Sequence, residues 1–288
     1  MNIVADLHVH STASDGVLSP TLLAQAARQA GLSAIALTDH DTIHGVAEAM
    51  TAGESCGLQV FPGIEFSCGW EDSDLSLHVL GLFIDPRHPE LLRVLQDQQA
   101  SRFSRALRIL DKLEALKINV KPLRHEFEGH PDKLLGRPHI ARYLAETGVV
   151  SDFQQAFDRY LKRGRPAHVP KDHLLPQTAV ELTHKAGGLA FVAHPGLISH
   201  WDEVWNMIKS LPWDGLEVFY SEHEIHTLTY FREFARKHDF LMSGGSDYHG
   251  EYGKHANRLG HHGLDQPTFD HFLSSAHTRR HAWKSAQS

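Results

Sequence analysis

The stretch Ile3-Val4-Ala5-Asp6-Leu7-His8-Val9-His10, with Asp15 shortly beyond it, decides how the whole chain reads. A short apolar run leads into two histidines at i and i+2. In an extended strand those side chains leave the same face, so both imidazoles can meet one ion. Asp15 lies on a Ser-Asp-Gly turn from which it can swing back toward them. One His-x-His pair is weak evidence, because a histidine at a strand end often only satisfies a backbone carbonyl. The weight comes from recurrence.

The same pattern returns down the chain, each time at or near an apolar run. Thr38-Asp39-His40-Asp41 follows Ala34-Ile35-Ala36-Leu37. Glu65 lies in Pro62-Gly63-Ile64-Glu65-Phe66, and His78 in Leu77-His78-Val79-Leu80. Ala193-His194-Pro195-Gly196 closes another run, and Gly245-Ser246-Asp247-Tyr248-His249 the last. We read strands over Ile3–Leu7, Ala34–Thr38, Val60–Phe66, Leu77–Ile84, Leu189–Ala193, Gly215–Phe219 and Phe240–Gly244. Helices fall between them: one capped by Ser19-Pro20 and closed at Gly31, one over Glu181–Ala186 and one over Glu222–His238. Short buried strands alternating with helices predict an α/β fold with a parallel sheet, and this many repeats favour a closed barrel. Periodicity alone leaves an open doubly wound sheet as the alternative. In a barrel the carboxyl ends of the strands share one face, so these distant residues would meet there. Imidazole and carboxylate suit Zn²⁺, Mn²⁺ or Fe²⁺, and buried carboxylates need a counter-charge that such ions supply.

The alternation breaks between about Pro89 and Pro176. A long helix is predicted from Glu90 toward Leu116, with others at His139–Thr147 and Asp152–Lys162. We therefore expect a barrel domain from 1–88 and 177–288 and a helical insertion over 89–176. The insertion differs in charge. Arg93 to Lys171 holds 16 Lys/Arg against 9 Asp/Glu, while the rest of the chain holds 12 against 26. The net charge of −7 argues against a general nucleic-acid binder, but a basic segment on an acidic scaffold suits a small polyanion. Cys56 and Cys68 have no metal-site spacing and read as reduced thiols. No run approaches a membrane span and no secretory signal is visible at the N-terminus, so a cytoplasmic location is expected.

The set His8-x-His10, Asp15, Asp39-His40, Glu65, His78, His194-Pro195 and Asp247-x-His249 resembles the polymerase and histidinol phosphatase (PHP) family. That resemblance implies a distorted seven-stranded β/α barrel with two or three divalent ions, Mn²⁺ ahead of Zn²⁺ or Fe²⁺. It implies that His8, His10, Glu65 and Asp247 hold one ion and that Glu65 bridges to a second, held also by His78 and His194. Asp15, His40 and His249 would complete a third site; relatives that carry histidine at the position of Asp15 make this the point of departure. Asp39 would orient a ligand. The implied chemistry is hydrolysis of a phosphoester by metal-activated hydroxide, with Glu65 at its centre. His40 and Asp15 are candidates to protonate the leaving group if no third ion occupies them.

The insertion then gains a purpose. Arg102 and Arg105 share one face of the long helix, Arg137 precedes a helix start, and Lys171 follows a Val-Pro turn. All four are candidate phosphate contacts. The layout resembles stand-alone PHP proteins that remove the 3′-phosphate of nucleoside 3′,5′-bisphosphates, some of which also degrade short RNA from the 5′ end. The expected partners are therefore a small phosphorylated nucleotide and short RNA ends, with no membrane and no stable protein partner. Two alternatives stand beside this: a histidinol-phosphate phosphatase, and a metal-binding regulatory module without turnover.

Overall fold

Apolar runs just long enough for one strand, separated by amphipathic helices, build the scaffold. The computed structural model describes residues 2–70, 73, 75–129, 136–170, 173–250 and 258–287. The chain divides into two compact units, Met1–Leu92 with His173–Ser288, and Arg93–Asp172.

In the first unit the order is β1 (Ile3–Val9), α1 (Pro20–Gln29), β2 (Ala34–Leu37), α2 (Val46–Cys56), β3 (Gln59–Gly69) and β4 (Ser76–Leu82). After the excursion of α3 (Pro89–Ala115), α4 (Lys121–Gly129), α5 (Arg137–Glu146) and α6 (Phe153–Ala156), the chain returns. It continues through α7 (Pro176–Lys185), β5 (Leu189–Val192), α8 (Trp201–Ile208), β6 (Gly215–Tyr220), α9 (Ile225–Lys237), β7 (Leu241–Gly245), β8 (Leu264–Asp265) and α10 (Gln266–Gln287). The first helix starts as its sequence dictates: Ser19 Oγ accepts from the Leu22 N–H at 3.3 Å, and Pro20 sits where no N–H is needed.

The strands form one sheet in the order β7-β6-β5-β4-β3-β2-β1-β8. Its two ends meet. The lower part of β1 pairs with β8. At its upper end the His10 N–H donates to Tyr248 O at 3.0 Å, and the Asp247 N–H to His8 O at 2.8 Å. The result is a nearly closed barrel. Two details differ from the expected seven parallel strands. Among the described residues there are eight strands, the extra one being the two-residue β8, too short to leave an apolar signature. And β4 runs antiparallel to both β3 and β5. The residues between β3 and β4 are too few for a crossover helix, and a short connection makes neighbouring strands antiparallel. That reversal distorts the barrel and brings the start of β4, with His78, to the face where the other strands end.

Small and large residues alternate in the barrel core: Ala34, Ala36 and Ala193 beside Leu80, Leu82 and Phe191. Phe269, Phe272 and Ala276, on one face of α10, pack against the same cluster. Each buried phenylalanine contributes about 1.5–3 kcal/mol, so this C-terminal helix is a structural part of the barrel.

The second unit has its own core, built on Leu110, Leu113, Phe127, Ile140, Leu144 and Leu161, none of them solvent-exposed. In place of one helix over Asp152–Lys162, α6 is a single turn that passes into a π-helical turn at Phe157–Leu161. Asp152 caps it, accepting from the Gln155 N–H at 2.8 Å. Among the described residues no helix is long and apolar enough to cross a membrane.

Candidate metal centre

Glu65 stands at the middle of the site. It is 1% exposed, and its two oxygens face different neighbours. Oε2 lies 3.2 Å from His8 Nε2, 3.2 Å from His10 Nε2 and 3.0 Å from His40 Nδ1. Oε1 lies 2.8 Å from His78 Nδ1 and 3.1 Å from His194 Nε2. Asp247 Oδ1 joins the Oε2 side, 3.3 Å from His8 Nε2 and 3.0 Å from His10 Nε2. Asp15 Oδ1 lies 3.2 Å from His249 Nε2 and 3.9 Å from His10 Nδ1. Three groups whose ligand atoms lie within 4.8 Å of one another result: His8, His10, Glu65 and Asp247; His40, Glu65 and His78; and His10, Asp15, His40 and His249.

The backbone arranges this convergence. His8 and His10 leave the same face at the end of β1, as their spacing requires. His40 is bridged directly to Glu65 across the ends of β2 and β3. His194 and Asp247 take positive φ values of 27° and 54°, a region that costs energy for residues other than glycine and recurs where a site depends on it. His194 also precedes a proline, which further narrows its choices.

Whether a cation fits can be tested on the side chains themselves. His8 Nε2, both ring nitrogens of His10, His40 Nδ1, Glu65 Oε2 and Asp247 Oδ1 are buried with no hydrogen-bond partner, although the nitrogens other than His10 Nδ1 lie 3.0–3.3 Å from Glu65 Oε2 or Asp247 Oδ1. Buried polar atoms are otherwise nearly always satisfied. A divalent ion held by His8 Nε2, His10 Nε2, Glu65 Oε2 and Asp247 Oδ1 would satisfy that group, while His10 Nδ1 and His40 belong to neighbouring groups; the mixed nitrogen–oxygen set suits Mn²⁺, Zn²⁺ or Fe²⁺. The electrostatics agree. Burial works against charge on His10, yet Asp247 and Glu65 lift it to about 10. Burial opposes charge on His8 too, but Glu217, Asp247 and Glu65 hold it well above the usual histidine value. Burial alone would raise Glu65, but His40, His78 and His8 hold it well below the carboxylate range. His40 is pushed down to about 4, chiefly by burial. The pocket demands positive charge.

Around the ligand atoms lies a set of buried carboxylates that touch backbone and ring nitrogens. Asp39 accepts from the Ser11 N–H at 2.8 Å, Ser11 Oγ at 2.7 Å and Ser14 Oγ at 2.6 Å. It therefore fastens the loop that carries Asp15. Asp6 accepts from the Ser246 N–H at 2.9 Å and Ser246 Oγ at 2.6 Å, beside Asp247; burial lifts it to about 7.

Three residues of this surround were not singled out from sequence. Glu217, in β6, faces His8 Nδ1 at 3.0 Å and accepts from the His194 N–H at 2.8 Å. The signal was an acid inside an apolar strand, which is costly unless it has work to do. Tyr220 donates its hydroxyl to Asp247 Oδ2 at 2.9 Å, leaving Oδ1 to face the histidines. His223 donates from Nδ1 to Val218 O at 3.0 Å and accepts at Nε2 from the Gly196 N–H at 3.1 Å, bracing the turn after His194. Neither of the last two carries a spacing signal.

The PHP domain model matches residues 6–238. The chain belongs to the PHP family. Among PHP relatives, a 5′-3′ exoribonuclease of Haemophilus influenzae is 39% identical over 85% of this chain and 89% of its own length. A 3′,5′-nucleoside bisphosphate phosphatase of Chromobacterium violaceum is 34% identical over 86% and 89%. A solved structure described as a metal-dependent phosphoesterase from Bifidobacterium adolescentis superposes with a TM-score of 0.78, covering 95% of this chain and 96% of that one at 28% identity.

Of the remaining residues predicted to contact substrate, Arg102, Arg105 and Arg137 lie in the second unit, and Lys171 lies outside the described residues. Arg105 is buried, its Nε donating to Val169 O at 2.9 Å. The Arg137 guanidinium sits 5.8 Å from the centre of the Phe157 ring, and burial lowers its pKa. Burial also lowers His168, helped by the nearby cations Arg105, Arg137, Lys112 and Arg163. Positive charge is thus gathered within the helical unit.

Proposed function

We propose that this PHP protein is a metal-dependent phosphoesterase that removes the 3′-phosphate from nucleoside 3′,5′-bisphosphates such as adenosine 3′,5′-bisphosphate. The same centre would release nucleotides from the 5′ end of short 5′-phosphorylated RNA. Both reactions break a 3′-linked phosphoester, on a monoester in one case and a diester in the other. The observation that carries the reading is the unsatisfied buried donor set around Glu65, in a chain closely similar to enzymes named for these two activities.

Two or three divalent ions, with Mn²⁺ foremost, would supply an activated water and neutralise the phosphoryl oxygens. The chain does the rest. Glu65 spans two ligand groups through its two oxygens, and Asp247 is aimed by Tyr220. Asp15, His40 and His249 would hold a third ion; burial keeps His40 neutral near pH 7, which suits a ligand and argues against His40 as the acid that protonates the leaving oxygen. Arg102, Arg105, Arg137 and Lys171 recognise the phosphate that is not hydrolysed. Cys56 and Cys68 are not joined in a disulfide, which fits a reducing compartment, and we place the enzyme in the cytoplasm.

The test is turnover by purified protein with Mn²⁺ on adenosine 3′,5′-bisphosphate, a 5′-phosphorylated oligoribonucleotide and histidinol phosphate. Release of phosphate from the first, with or without nucleotide release from the second, is expected. Turnover of histidinol phosphate alone would move the function to that phosphatase. Silence on all three would leave a metal-binding module without catalysis.

A further inference from the structure

We propose that Glu217 is a positioning residue that couples the ligand groups on the two sides of Glu65, so that two ions can be held tightly at once only while residue 217 is a carboxylate. The proposal rests on the metal-centre reading above. Glu217 has no solvent exposure, and its two oxygens serve different clients. Oε1 faces His8 Nδ1 at 3.0 Å, and Oε2 accepts from the His194 N–H at 2.8 Å. His8 belongs to the group on the Oε2 side of Glu65, and His194 to the Oε1 side.

A carboxylate can only accept hydrogen bonds. Facing one, His8 keeps a proton on Nδ1, so that Nε2, which faces Glu65 and Asp247, is the nitrogen that gives up its proton and turns a lone pair to a bound ion. A buried acceptor of this kind fixes both tautomer and ring orientation in a metal-binding histidine. The second bond acts on backbone. His194 is held at φ 27° and ψ 58°, an unfavourable conformation before a proline, and the Glu217 oxygen restrains its N–H. Its ring then reaches Glu65 Oε1. One side chain thus governs a ring tautomer on one side of the centre and a strained turn on the other.

Glutamine at this position exposes the coupling, because it offers one acceptor and one donor in nearly the same volume. With its oxygen toward the His194 N–H, the amide NH₂ faces His8 Nδ1. The His8 proton then moves to Nε2 and the ligand lone pair is lost. With the oxygen toward His8, the NH₂ opposes the His194 N–H and the turn is released. Each orientation serves one side and spoils the other. Wild-type protein should therefore hold both ions tightly, and Glu217→Gln should hold one fewer, the missing ion binding 10–100-fold more weakly. Glu217→Ala should weaken both.

The experiment is equilibrium dialysis of the metal-free full-length chain against graded Mn²⁺, with bound ions per chain read by elemental analysis. The proteins compared are wild type, Glu217→Gln, Glu217→Ala and, as a control, Glu65→Gln; circular dichroism of each metal-free protein reports the fold. Loss of one tight ion in a folded Glu217→Gln protein supports the coupling. Ion binding by Glu217→Gln equal to wild type overturns it while leaving the centre intact. Wild-type binding that is absent, or unchanged by Glu65→Gln, overturns the centre itself. A measurement on the wild type decides the matter if the variants fail to fold: with Zn²⁺ bound, ¹⁵N spectra of the imidazoles should place the His8 proton on Nδ1. A proton on Nε2 refutes the proposal.

Discussion

Replacing Asp39 by alanine should destabilise the protein by about 3 kcal/mol and loosen the grip on Asp15. Asp39 is 1% exposed and accepts three hydrogen bonds, two from Ser11 and one from Ser14. A hydrogen bond to a charged group contributes about 1.5–3 kcal/mol net. The low end applies, because burial raises the Asp39 pKa and so opposes its charge. Ser14 is only half-buried and can turn to water, so the two Ser11 bonds decide the cost. Unfolding entropy of about 2 cal/mol/K per residue over this chain converts 3 kcal/mol into a drop in Tm of about 5 °C. Asparagine should behave differently. Its amide oxygen can take the place of Oδ1, which receives the Ser11 N–H and Ser14 Oγ, and its NH₂ can donate to a rotated Ser11 hydroxyl. That variant should lose only about 1 kcal/mol. Thermal melts of metal-free protein test both values. Ion titrations should show the group of Asp15, His40 and His249 weakened in the alanine variant alone. An alanine variant that melts with the wild type, or an asparagine variant that falls as far, refutes the reasoning.

Gly245→Ala should abolish the folded protein, since a Cβ there would come within 2.6 Å of His8 N and 2.4 Å of its Cβ; soluble yield and circular dichroism report it. Burial holds His223 below the ordinary histidine value, so the folded chain keeps it neutral where the unfolded chain takes a proton. Its contribution to stability is present above about pH 6.5 and is lost as pH falls from there toward the folded value; denaturant melts across that window should show a shallower pH slope for His223→Gln than for wild type. Arg137→Ala should raise KM for the bisphosphate about tenfold, leaving kcat within about twofold and ion content unchanged; steady-state kinetics beside elemental analysis would show otherwise. Adding Mn²⁺ to metal-free protein at about 100 times its Kd should stabilise it by about 2.7 kcal/mol per tight site, visible as a rise in Tm.

Most of the barrel was legible because each of its long strands is an apolar run bounded by turns. The two-residue β8 offers no such run. The C-terminal helix α10 hides its apolar face, Phe269, Phe272 and Ala276, among polar and histidine residues. The reversal of β4 followed from connection length, a topological constraint that hydrophobic periodicity does not carry. Ligand-type residues could be found because they cluster at strand ends and in recognisable pairs. Glu217, Tyr220 and His223 are single residues whose roles depend on partners far along the chain. Nothing local separates them from structural neighbours, apart from the cost of placing Glu217 in an apolar strand.

The barrel seam is stitched by the residues that build the site. His8 O on β1 and His10 N just beyond it bond Asp247 N and Tyr248 O, which lie far along the sequence from them. Contacts between such distant positions form slowly, because a long loop must close before they gain anything. The chemistry therefore has no partial form in which one end of the chain works while the other is still unfolded. Refolding followed by activity should lag refolding followed by helix content. Ions bound across the closed seam would act mainly by slowing its opening, making them a clasp on the lifetime of the fold as well as part of its chemistry.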